Sequence, residues 1–215
     1  MSADHAAADA LPPDRPARAV IIGAAANLFG EKGYHGTSVR DISGEVGILG
    51  GSLYSHIESK QQILAEILRA FSAEAHAVLE PLETAALSTR EKLQAVFALY
   101  FRVVSESPSR ARVAVHESRS LEPAAFQEAR RRRRTTQAIV ERIVQQGIET
   151  GEIRAMDTTL VSMAVFSIAN WAVEWYDPAG AVGPDEAARF FTNLLLDGIA
   201  SPGKAGRKRA KRTGS

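Results

Sequence analysis

The segment TSVRDISGEVGILGGSLYSHIESK, residues 37–60, admits few folds. Thr37 or Ser38 can open a helix by capping its free N–H groups, and Asp41, three residues after Ser38, suits the positive end of the helix dipole. Val39, Ile42 and Val46 recur at helical spacing, and Gly47 follows where a left-handed C-cap strains glycine least. Beyond the turn Gly47-Ile48-Leu49, the stretch 50–56 reads as a second helix too short to bury itself, with only Leu53 and Ile57 as a clear inward pair. Two adjacent glycines weaken a helix interior, but in a first turn they let the backbone approach another molecule closely. Ser59 with Gln62 has the capping-box pattern and places Lys60 in the first turn of a third helix.

Helix, tight turn and short helix together make a helix-turn-helix, whose second helix suits a major groove. Lys60 opposes the dipole where it stands, which fits either an outside anion such as phosphate or an ordinary solvated lysine. The ordered set Phe29, Gly33, Gly36-Thr37-Ser38, Ile42, Gly47 and Gly51-x-Leu53-Tyr54-x-His56-x-x-Ser59-Lys60 resembles the DNA-binding domain of TetR-family transcriptional regulators. Leu49 departs from the small hydroxyl residue usual there, and Ile57 from the usual phenylalanine. The resemblance implies a cytoplasmic homodimer on double-stranded, roughly palindromic operator DNA, with readers about 34–36 Å apart. It implies that Gly50, Gly51, Ser52 and Tyr54 present the reading surface, with Leu49 altering base preference. Thr37, His56 and Lys60 would grip phosphates beside Ser38, and Arg40 would do either.

The remaining punctuation is helical throughout. Pro16 suits a first helical turn, and Val20, Ile21, Ala24, Ala25, Leu28 and Phe29 make one apolar face up to a stop at Gly33. Arg15 and Arg18, near that start, fit a DNA backbone or plain solvent equally well. After Ser59 a stripe from Ile63 to Leu82 predicts one long helix, the family's connector between reader and ligand domain. Ser88 with Glu91, Pro108, Pro123, Asp157 and Pro184 mark further starts, Gly151 marks an end, and Gly198 falls in register with Phe190, Phe191, Leu194 and Leu195. No segment combines strand alternation with hairpin turns. The expected fold is all-α and TetR-like: a mobile arm (1–14), a three-helix DNA-binding domain (15–60), a helical ligand-binding and dimerisation domain (61–200), and a disordered basic tail (201–215).

Charge does not argue for nucleic acid by itself. The 215 residues carry a net charge of +1, but six lysines and arginines and no acids fall in 201–215, leaving about −5 for the rest. That tail fits sequence-blind DNA affinity or simple solubility. With no cysteine, disulfides, thiolate zinc sites and a cysteine nucleophile are excluded. No apolar run reaches the ~20 residues of a membrane span. The five histidines are scattered and no P-loop or nucleophile elbow occurs, so neither metal nor catalysis is expected.

Trp171 and Trp175, four apart, share a helical face and fit a core or dimer seam as well as a ligand cavity. The helix that carries them, from about Leu160, has few polar positions, as if buried on more than one side. With Phe190, Phe191, Leu194 and Leu195 it resembles the family's dimerising four-helix bundle, with Trp175 in the interface. Arg130 to Arg134 point all round their helix, so at least one faces inward or toward a partner, such as a carboxylate at Glu174. The stretch Trp171-x-x-Glu174-Trp175-Tyr176-x-Pro178-x-Gly180 is similar to TetR-type repressors that sense acyl-CoA thioesters in steroid or fatty-acid catabolism. That likeness implies no cofactor, a small-molecule effector, and a site from Phe97, Phe101, Arg134, Phe166, Asn170, Trp171 and Trp175. A drug-sensing repressor of an efflux pump is the first alternative, and a helical lipid carrier or enzyme the second.

Overall fold

The computed structural model describes residues 14–198, with side chains from residue 18 onward. The side chain of Arg15, all but the last residue of the expected arm, and the basic tail lie outside the described residues. Within them the chain runs α1 (Asp14–Lys32), α2 (Val39–Val46), α3 (Gly50–Leu53), α4 (Lys60–Thr84), α5 (Thr89–Glu106), α6 (Pro108–His116), a 3-10 turn (Glu117–Ser120), α7 (Pro123–Glu149), α8 (Thr158–Trp175) and α9 (Pro184–Asp197), without a strand. No helix among these residues is long and apolar enough to cross a membrane.

The local signals act where the sequence places them. Ser38 caps α2 in a full box with Asp41, and Gly47 closes it at φ 75°. Ser88 and Glu91 form the same box on α5. The box expected at Ser59 is half made: Ser59 accepts from the Gln62 N–H, but the Gln62 side chain accepts from Glu58 rather than from Ser59. Pro81 does not end α4, which continues to Thr84, because near a C-terminus the missing donor loosens only the last turn.

Hydrogen bonds from Ser38 hold the Asp41 carboxyl below its ordinary range, and Ser88 does the same for Glu91. Because the folded values are lowered, both caps stabilise fully above the ordinary carboxylate value of about 4 and are lost as pH falls through the depressed ones. Protection of the Ser38 and Asp41 amides against exchange, taken relative to the intrinsic rate at each pH, should therefore fall on acidification below about pH 4. In Asp41→Asn this acid-dependent step should vanish.

Two apolar cores result. The first gathers Ile21, Ala25, Leu28 and Phe29 of α1, Ile42 of α2, Leu53 of α3 and Ile63, Leu64, Ile67 and Leu68 of α4. Val20, expected on the inner face of α1, instead points outward. The second joins Leu93, Phe97 and Phe101 of α5 to Ile139, Val140 and Ile143 of α7 and Val165 of α8. Full burial of each large side chain contributes about 1.5–3 kcal/mol. Helix α6 belongs to both, giving Val113 and Ala114 to the first core and Ala111 to the second. Phe71 of α4 also packs against each. Where α1 crosses α6, a Cβ on Gly30 would lie 2.7 Å from Ser109 Cα, so the backbones meet with no room for a side chain.

Candidate functional site

The outer surface of the first core is built by α2, the turn after it, and α3. Only Leu53 of α3 is buried, and it fixes the short helix to the core. The helix ends at Leu53, short of His56, and continues as tight turns in which Ser55 and His56 donate to the carbonyls of Ser52 and Leu53. Gly50, Gly51 and Ser52 are left exposed, together with Leu49 at 83% and Tyr54 at 57%. Arg40 of α2, Leu49 and Tyr54 border one shallow depression.

Several expected phosphate contacts serve the fold instead. Thr37 is buried and its hydroxyl donates to the carbonyls of Gly33 and Leu28, at 2.9 and 3.2 Å, so it cannot grip DNA. The Ser38 hydroxyl is engaged by Asp41 at 2.6 Å. Lys60 donates to the carbonyls of Tyr34 and Thr37 at 2.8 and 2.7 Å, and its ammonium lies 4.1 Å from the Tyr34 ring centre. It is held by the chain before α2, which folds back over it, rather than standing as an ordinary solvated lysine. Arg18 pairs with Glu66 at 2.5 Å and also donates to the His56 carbonyl, tying α1 to α4 and to the end of the reading segment. His56 itself is half-buried.

A cavity of about 600 Å³ opens between α4, α5, α6, α7 and α8. Leu68 and Phe71 of α4, Tyr100 of α5, and Met163, Phe166 and Trp171 of α8 line it, with Arg133, Gln137 and Asn170 as polar groups. No aspartate or glutamate is among its lining residues. The Tyr100 ring meets Phe71 and Phe166 edge-on, at 6.3 and 5.8 Å. Burial pushes its hydroxyl well above the ordinary phenol value despite the nearby Arg133, so it stays a neutral donor.

Of the seven residues expected to bind ligand, Phe166, Asn170 and Trp171 line this cavity. Phe97 and Phe101 do not: both are fully buried in the second core, against Phe191. Arg134 is replaced by its neighbour Arg133, since successive helical residues point about 100° apart. Arg131 and Arg132 both hold Glu128, and Arg130 lies over the Phe126 ring. Glu174, considered as a buried partner for an arginine, is exposed and pairs with His116 at 2.6 Å. The two tryptophans divide: Trp171 goes to the cavity, while Trp175 packs against Phe101, Tyr176 and Phe191.

On α8 and α9, Leu160, Trp175 and Phe190 are exposed in the single chain, as are the cavity-lining Met163 and Trp171. Phe191 and Leu195, expected at an interface, are half-buried within the single chain: Phe191 stacks on Phe101 at 5.7 Å, and Leu195 packs on the same core. Leu194 is half-buried. Sequence reasoning missed Leu68 and Phe71 as cavity wall, because their spacing reports one apolar face of α4 and not what lies opposite. The pairing of His116 with Glu174, 58 residues apart, left no sequence signal at all.

Residues 21–67 match the family described as "Bacterial regulatory proteins, tetR family", and residues 86–199 match "Tetracyclin repressor-like, C-terminal domain". The HTH-type transcriptional repressor KstR2 of Rhodococcus jostii (strain RHA1) is 30% identical over 187 residues, spanning 86% of this chain and 92% of that protein. The solved structure of the ketosteroid transcriptional regulator KstR2 of Mycobacterium tuberculosis superposes with a TM-score of 0.78 at 28% identity, over 86% of this chain and 95% of that one. AibR, solved in complex with isovaleryl coenzyme A and operator DNA, shares the fold with a TM-score of 0.76 at 23% identity, over 83% of this chain and 97% of its own. This chain belongs to the TetR family of DNA-binding transcriptional regulators.

Proposed function

We propose that this regulator is a homodimeric repressor, released from a roughly palindromic operator when a CoA thioester with an apolar acyl group enters the cavity. The cavity carries the proposal: about 600 Å³, walled by Phe71, Phe166 and Trp171, with one guanidinium and no carboxylate on its lining. An acyl chain suits those walls, and the phosphates of CoA suit Arg133, since an arginine fork matches phosphate oxygens. A drug-sensing pocket for hydrophobic cations would want the carboxylate this lining lacks. The likeness to KstR2 and the CoA thioester held by AibR, of the same fold, support the reading. Family membership removes the alternative of a helical enzyme or lipid carrier.

Leu68 and Ala114 each belong to both the cavity wall and the reader's core. A ligand that shifts α4 or α6 therefore moves the surface of Arg40, Leu49, Gly50, Gly51, Ser52, Tyr54 and His56, which we place against DNA in the cytoplasm. Release requires unequal ligand affinity for the two arrangements. The exposed Leu160, Trp175 and Phe190 supply the dimer face, where a second copy completes a four-helix bundle.

The test is binding of the protein to its own upstream DNA with acyl-CoA thioesters, the matching free acids and hydrophobic cations. Release by a thioester and not by its acid is expected. Specific binding that no thioester disturbs would sink the effector and leave the reader standing, and failure to bind upstream DNA at low salt would sink the operator half as well. Arg133→Ala should weaken the thioester at least about tenfold, the worth of one charged hydrogen bond, while operator affinity without ligand is unchanged. Arg134→Ala should alter neither, and equal losses at both positions would reduce the effect to general charge.

A further inference from the structure

Two features of the reading segment are not explained by the fold. Gly50 and Gly51 both have negative φ, a conformation any residue adopts, and alanine favours a helix over glycine. A Cβ on Gly51 would meet nothing within 4 Å, and one on Gly50 only Ser43 Oγ at 3.9 Å. Packing inside the chain does not demand glycine at either position. Close approach to an outside body does.

Leu49 is the second feature. It occupies the N-cap of α3, where Ser, Thr, Asp or Asn would stabilise the helix by about 1 kcal/mol, and its side chain makes no capping bond. It is 83% exposed, so it gains no burial in return. It stands beside the two bare glycines, on the rim of the depression it shares with Arg40 and Tyr54. An aliphatic side chain offers neither donor nor acceptor to a base edge. The apolar feature of the major groove is the 5-methyl group of thymine.

We infer that Leu49 is a specificity-determining residue that packs on a thymine 5-methyl group, with the glycines letting the backbone come near enough for it to reach. The inference rests on this surface facing DNA, as proposed above.

The experiment uses the full chain and the site it protects in its own upstream DNA. Each thymine of that site is replaced singly by deoxyuridine, which removes the methyl and keeps every hydrogen bond, and affinities are measured by fluorescence anisotropy for wild type, L49A and L49S. At one thymine in each contacted half, the deoxyuridine swap should weaken wild type about fourfold, the worth of one buried methyl, and leave L49A and L49S unmoved. Thymine swaps that weaken all three proteins alike, or none of them, overturn the inference. Gly51→Leu is run in parallel, since a bulky side chain there should abolish binding while unfolding stays normal. Loss at Gly51→Leu without coupling at Leu49 overturns the thymine contact alone. Normal binding by Gly51→Leu overturns both the contact and the placement of the reader.

Discussion

Replacing Gly30 with valine is expected to destabilise the protein by about 3 kcal/mol, the upper end for forcing a side chain into a filled crossing. The added Cβ would sit 2.7 Å from the Cα, Cβ and carbonyl oxygen of Ser109, and two of those atoms are backbone. No rotamer relieves that clash, so α1 and α6 must separate, drawing Val113 and Ala114 from the first core. Urea unfolding should show a lower midpoint with an unchanged slope. Gly23, on the same helix, has nothing within 4 Å of a Cβ, so Gly23→Ala should be neutral or slightly stabilising. Equal stability of Gly30→Val and Gly23→Ala would mean that the crossing is not close.

Lys60→Met should cost about 2–3 kcal/mol, because it strips the donor from two carbonyls that hold the segment before α2. Methionine keeps an unbranched apolar stem one atom shorter than lysine's, so the hydrogen bonds and the ammonium's contact with the Tyr34 ring are lost together. Operator affinity should fall at every salt concentration, since the reader is braced by that segment. The slope of log affinity against log salt should stay the same, whereas a lysine gripping phosphate would lower it by about one on removal. The salt titration thus decides between a structural and a DNA-contacting Lys60.

What could be read beforehand was local. Ser38, Asp41, Gly47, Ser88 and Glu91 act through bonds that span three or four residues, so spacing alone placed them. Lys60 was illegible because its acceptors lie 26 and 23 residues earlier, beyond any helical period. Phe97, Phe101 and Phe166 look equivalent in periodicity, yet only the last reaches the cavity, because the side of α5 that carries the first two is closed by α9. In the arginine run, which member turns to the cavity depends on the rotation of α7 about its axis, and one residue decided it. The tryptophan pair divides for the same reason, as neighbours on one face still meet different helices.

The double membership of α6 also limits how this protein can be taken apart. A reader cut at residue 60 would leave behind Ile63, Leu64, Ile67 and Leu68 of α4 as well as Val113 and Ala114 of α6, which wall much of its own interior. Transplanting its DNA specificity onto another effector domain therefore means carrying α6 and the first turns of α4 along, or rebuilding the recipient to replace them. Chimaeras joined at the obvious loop before α4 would inherit an open core, and their failure to bind DNA would say nothing about the bases this reader prefers.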